Sequence, residues 1–147
     1  MFGFLKKRAE ERRRSAEVVE MGREGGAKMF DAITKYLETR IRFVSEQYID
    51  VLRGQLKNLN DRADRSPVEL DAGALAAIFC EKVGELQTSL IADAQRDLKE
   101  WLDIAEWAGV RVQTVAYISI TIANACEALT QKGVAEARGH ISEDRGT

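Results

Sequence analysis

The chain has 147 residues, 45% of them hydrophobic and 31% charged, with 22 Lys and Arg against 24 Asp and Glu. That length suits one domain around one core, and the apolar content excludes a disordered chain. A formal net charge of -2 excludes a protein drawn to nucleic acid by a general basic field, so nucleic acid is disfavoured as a partner. One proline and 11 glycines leave room for few, long elements.

The first element is expected to be a helix from about Phe4 to Met21. Lys6 and Glu10, Lys7 and Glu11, Glu10 and Arg14, and Arg13 and Glu17 are opposite charges four residues apart, a spacing that supports helix and does nothing for a strand. Apolar positions are too sparse here to bury much, so the segment reads as peripheral. Gly22, Gly25 and Gly26 each cost a helix about 1 kcal/mol relative to alanine, which predicts a hinge and a boundary between residues 1–24 and a bundle domain over 25–133.

Phe30, Ile33, Leu37, Ile41, Val44, Tyr48, Val51 and Leu52 recur every three or four residues and predict a second helix over about 27–60. Its other face carries Asp31 with Lys35, Glu38 with Arg42, and Asp50 with Arg53, a solvated side. Ser66-Pro67-Val68-Glu69 combines a capping serine, a proline at the first helical position and a glutamate that reaches back to the cap. A third helix therefore spans about 67–107, with a stripe of Leu75, Phe79, Val83, Leu86, Leu90, Ala94, Leu98, Trp101 and Ala105. These two form an antiparallel hairpin.

Ala108-Gly109 breaks the pattern before a C-terminal helix over about 110–132 that Gly133 stops. Val110, Val112, Ile118, Ile120 and Ile122 also fit the two-residue period of a strand. Helix is preferred because Ala123, Ala125, Cys126, Ala128 and Leu129 continue at helical spacing and a lone strand leaves its backbone unpaired. Residues 134–147 read as a flexible tail. The expected class is thus an all-α helical bundle.

Several chemistries lack the residues they need. His140 is the only histidine, so bundle di-metal sites, zinc sites and nucleophile–imidazole pairs have no basis, and no cofactor is expected. Cys80 and Cys126 have no CxxC spacing and read as reduced core thiols. The apolar Phe2, Phe4 and Leu5 precede the basic residues, the reverse of an export signal, and the uncharged run Val112 to Cys126 falls short of the ~20 residues of a spanning helix. A cytoplasmic location follows, peripheral at the inner face of a membrane if the chain meets lipid.

Two functional readings remain. One is a non-enzymatic assembly or adaptor protein. Within residues 1–14, Lys6, Lys7, Arg8, Arg12, Arg13 and Arg14 face only Glu10 and Glu11, behind the apolar Phe2, Phe4 and Leu5, a combination that suits an anionic membrane surface or a protein partner. Phe2 in place of a glycine excludes N-myristoylation. Trp107, at a helix end, is the aromatic most suited to a contact. Val112, Val115, Ile118 and Ile122 spread around a helix with no charge between Arg111 and Glu127, which points to self-association as a homo-oligomer. The alternative is a bundle that binds a small ligand or cation, or an enzyme built on one, with a pocket near residues 93–107. There Asp93, Asp97, Glu100, Asp103 and Glu106 accompany Trp101, and Glu46 and Asp50 are further candidate oxygens.

Overall fold

A computed structural model describes residues 2–61 and 68–145, with side-chain surroundings for 3, 5–14, 16, 23–59, 61 and 72–140. Among the described residues there are four α-helices and no strand: α1 (Phe2–Asp61), α2 (Val68–Asp97), α3 (Lys99–Trp107) and α4 (Arg111–Arg145). The all-α expectation holds, and residues 110–122 are helical. The chain divides into two compact units, residues 1–36 and 37–147.

In the first unit the backbone is helical through Gly22, Gly25 and Gly26, so the expected hinge is not there. Glycine lowers helix stability without barring the conformation, and no proline or β-branched run adds to its cost. Every described side chain from Gly3 to Lys28 is exposed, and burial begins with Met29 and Ile33. The expected pair Asp31–Lys35 is formed at 3.0 Å on the solvent side.

The second unit packs the later part of α1 against α2 and α4. Arg40 lies beside Asp93 and Tyr48 beside Phe79, so α1 and α2 run in opposite directions. Arg53 lies beside Glu136, and Ile41 to Asp50 border Ala125 to Leu129, which sets α4 parallel to α1. The result is an up-down-up bundle, with the expected antiparallel hairpin as its first two members. The capping box at Ser66 and Pro67 lies outside the described residues.

Each helix faces the centre with one seam. Along α1 the seam is Leu37, Val44, Ile49, Leu52 and Leu56, along α2 and α3 Ala72, Phe79, Val83, Leu90, Ala94, Leu98, Leu102 and Ala105. Phe30 and Val51, expected in the α1 stripe, are exposed, and Ile49 takes the inward place that Val51 loses. The irregularity at Leu98 barely interrupts the helix, since Leu98 N–H bonds Ala94 O at 2.9 Å and Leu102 N–H bonds Leu98 O at 3.0 Å.

The closest helix pair is α2 with α4. Its seam on α4 is Thr114, Ile118, Ile122, Cys126, Leu129, Gly133, Ala137 and His140, three or four residues apart throughout. Gly133 sits so near Phe79 that a Cβ there would run into the ring. The glycine expected to stop the helix instead lets a neighbour close in, and α4 continues to Arg145. Residues 134–145 are therefore helical rather than a loose tail, and His140 is only 8% exposed. The Thr114 hydroxyl, buried in the seam, donates to Val110 O at 2.8 Å, which satisfies it without a partner on another helix.

Candidate docking surfaces

The first surface is the N-terminal stretch of α1. Leu5 is 63% exposed, and Lys6, Lys7, Arg8, Arg12, Arg13 and Arg14 are all exposed around it. Phe2 and Phe4 belong to the same helix, but their side chains lie outside the description. Among the described side chains of this stretch none is buried, so they add no stability from a buried face. Opposite charges four residues apart on a helix add only about 0.2–0.5 kcal/mol each.

The second surface is built by the turn between α3 and α4. Gly109 takes φ 77°, the left-handed conformation that glycine adopts without strain, and ends α3. Gly109 N–H bonds Glu106 O at 3.0 Å and Val110 N–H bonds Ala105 O at 2.8 Å, the paired closure of a Schellman motif. Arg111 returns to Glu106 at 2.9 Å and ties the turn from outside. With the backbone so fixed, Trp107 is 90% exposed, Val112 80% and Ile104 51%. Leu102 and Ala105, on the opposite side of α3, are buried and hold the helix to the bundle.

The third is a groove between α1 and α4, about 440 Å³ in volume and lined by Arg53, Lys57, Lys132, Glu136, Gly139 and His140 among others. Arg53 donates from Nε at 3.1 Å and from a terminal nitrogen at 2.6 Å to one oxygen of Glu136. That bond holds the Glu136 carboxyl below, and the Arg53 guanidinium above, their ordinary values. The sequence pattern offered no sign of this groove, because Glu136 and His140 fell in the expected tail.

Residues expected to meet a second copy are placed differently from one another. Ile118 and Ile122 are 0% and 1% exposed within the single chain, so they are core residues and not contact residues. Val115 is half-buried, while Val112 is free to make a contact. The outward side of this part of α4 carries Gln113, Ala116, Ile120 and Asn124. Within the single chain this part of α4 is therefore packed on one side, through Thr114, Ile118 and Ile122.

The acidic stretch 93–107 is a solvated ridge. Asp93 pairs with Arg40 and Arg96, Asp97 with Arg96, and Glu106 with Arg111, all between 2.9 and 3.3 Å. Trp101 is half-buried in the bundle wall. Glu46 and Asp50 border a groove against Ala125, Ala128 and Leu129 of α4, away from that ridge. Among the described residues, no three His, Cys, Asp or Glu side chains gather as a metal cluster. Both cysteines are free, and burial pushes the Cys126 thiol above its ordinary pKa. Among the described residues, no helix is long and apolar enough to cross a membrane. Comparison with protein-family models, curated proteins and solved structures finds no match.

Proposed function

We propose that the protein is a non-enzymatic helical assembly protein that docks onto a negatively charged surface through its basic N-terminal helix, with the bundle as the supporting body. The observation that carries this reading is the exposure of every described side chain from Gly3 to Lys28 in a helix whose first 14 residues hold six cations against two carboxylates. A regular helix whose described side chains are all exposed is suited to present them to something else. The non-enzymatic part is supported by the burial of Cys126 in the α4 seam and by the arginine partners that Asp93, Asp97 and Glu106 already have. A cytoplasmic location, at the inner face of a membrane where the surface is lipid, belongs to the same proposal, as does self-association as a homo-oligomer.

The test uses the full chain and a full-length variant carrying Arg12→Glu, Arg13→Glu and Arg14→Glu. Anionic phosphatidylserine-containing vesicles serve as the negative surface, zwitterionic ones as the control. The parent should co-sediment with anionic vesicles at low salt and release as salt rises, at about 1 kcal/mol per basic residue near the surface. The variant should stay in the supernatant. Indifference of the parent to anionic vesicles at low salt, together with a variant whose solution mass equals the parent's, would sink the reading.

A further inference from the structure

The exposed side of α3 has a pattern of its own. Glu100, Asp103, Ile104 and Trp107 stand at i, i+3, i+4 and i+7, the spacing of one helix face, and all four are exposed. Glu100 and Asp103 make no ion pair with another described residue, unlike Asp93, Asp97 and Glu106 of the same stretch. Val112, just past the Gly109 turn, is a further exposed apolar side chain. A tryptophan 90% exposed one turn from an exposed isoleucine is the kind of anchor that interfaces use, because its ring contributes a large contact area with few torsions to fix.

The charge of the face selects among occupants. Residues 93–107 hold five carboxylates against Arg96 and Lys99, so an anionic lipid surface or a nucleic acid would be repelled. The complement is a helix that is basic and carries apolar side chains. The chain itself contains one, with Leu5 exposed among Lys6, Lys7, Arg8, Arg12, Arg13 and Arg14.

We propose that the α3 face of Glu100, Asp103, Ile104 and Trp107 captures the basic N-terminal helix of a second copy of this chain. The proposal rests on the docking role given above to that helix and names its negative surface. It joins two unlike patches, a heterologous contact rather than a two-fold one. Trp107 supplies the apolar anchor, and the two carboxylates set direction and partner through complementary charge.

The test uses two full-length variants, both changed only at exposed positions. The first carries Arg12→Glu, Arg13→Glu and Arg14→Glu, the second Glu100→Lys and Asp103→Lys. The parent should associate at low salt by light scattering and dissociate as salt rises. Each variant alone opposes like charges at the contact and should run as a monomer with an unchanged melting profile. Mixed, the two restore opposite charges and should associate again. Trp107→Ala should weaken parent association by about thirtyfold in Kd, the size of an interface hot spot. A parent that is monomeric at low salt, variants that associate as the parent does, or a mixture that stays monomeric would each overturn the proposal. A monomeric parent that still binds anionic vesicles would overturn only this proposal and leave the docking role of the N-terminal helix standing.

Discussion

The first and second halves of α1 are one helix by backbone geometry and two different objects by energetics. Up to Lys28 its described side chains face water, whereas from Leu37 to Leu56 it buries a side chain every turn or two. Helical hydrogen bonding is common to both, so it does not distinguish them. The difference lies in what the described side chains of each half exclude from water, with about 25 cal/mol for every Å² of apolar surface buried in the second and almost none in the first. A continuous helix can therefore be structural at one end and available at the other.

The sharpest way to break that comparison is to charge the buried seam. Ile118→Asp places an unpaired carboxylate where the side chain is 0% exposed, and it should cost about 4 kcal/mol or more and abolish cooperative melting. A folded, soluble Ile118→Asp protein would mean that α4 is not held as described. Next in size, Leu52→Ala should lower stability by about 2–5 kcal/mol in denaturant titration, while Leu5→Ala, made in the same helix but at an exposed position, should change it by less than about 0.5 kcal/mol. Equal losses at the two sites would erase the distinction between the halves.

Gly133→Ala tests the closest helix contact. In an exposed helix alanine would gain about 1 kcal/mol over glycine, but here the new Cβ meets the Phe79 ring and the net effect should be a loss of about 1–3 kcal/mol. Adding Phe79→Leu should recover part of it. Stabilisation by Gly133→Ala alone would show that the ring has room to move. By contrast Gly25→Ala with Gly26→Ala, where nothing lies within 4 Å, should raise helicity and leave the bundle's melting temperature where it was.

The smallest expected effect concerns the exposed pair Arg53–Glu136. The Glu136 carboxyl is lowered by its bond to Arg53, so the folded state holds its proton less tightly than the unfolded one. Its contribution is present above the ordinary carboxylate pKa, about 4.3, and is lost as pH falls through the depressed folded value. Glu136→Gln should therefore melt slightly below the parent near neutral pH, with the gap closing in acid. A gap that widens in acid would contradict that order.

The sequence made the helical class legible because three- and four-residue spacing of apolar residues is a strong and redundant signal. It did not make the end of α4 legible. Gly133, Ala137 and His140 keep the seam's spacing, but glycine, alanine and histidine carry little hydropathy, and a glycine among charges resembles a stop. Tight approach of two helices requires small residues, so the best-packed part of the bundle left the faintest apolar stripe. At Ile118 and Ile122 the opposite occurred, for β-branched residues at Val112 and Ile120 face outward and made the whole circumference look buried. Of the candidate surfaces, Trp107 was legible because it sits beside Ala108-Gly109 at a helix end. The Arg53–Glu136 groove was not, because its halves lie 83 residues apart.

The Gly109 turn also bears on the order in which the chain folds. It joins α3 to α4 through hydrogen bonds closed over four or six residues, and the buried residues nearest to it in sequence are Ala105 and Leu102 on one side and Thr114 and Ile118 on the other. Loop closure costs least entropy where the joined segments are nearest in sequence, so the α3–α4 corner should be assembled at the rate-limiting barrier and α1 should join later. Folding rates should then fall with Ala105→Gly and hardly change with Leu52→Ala, whose cost should appear in faster unfolding.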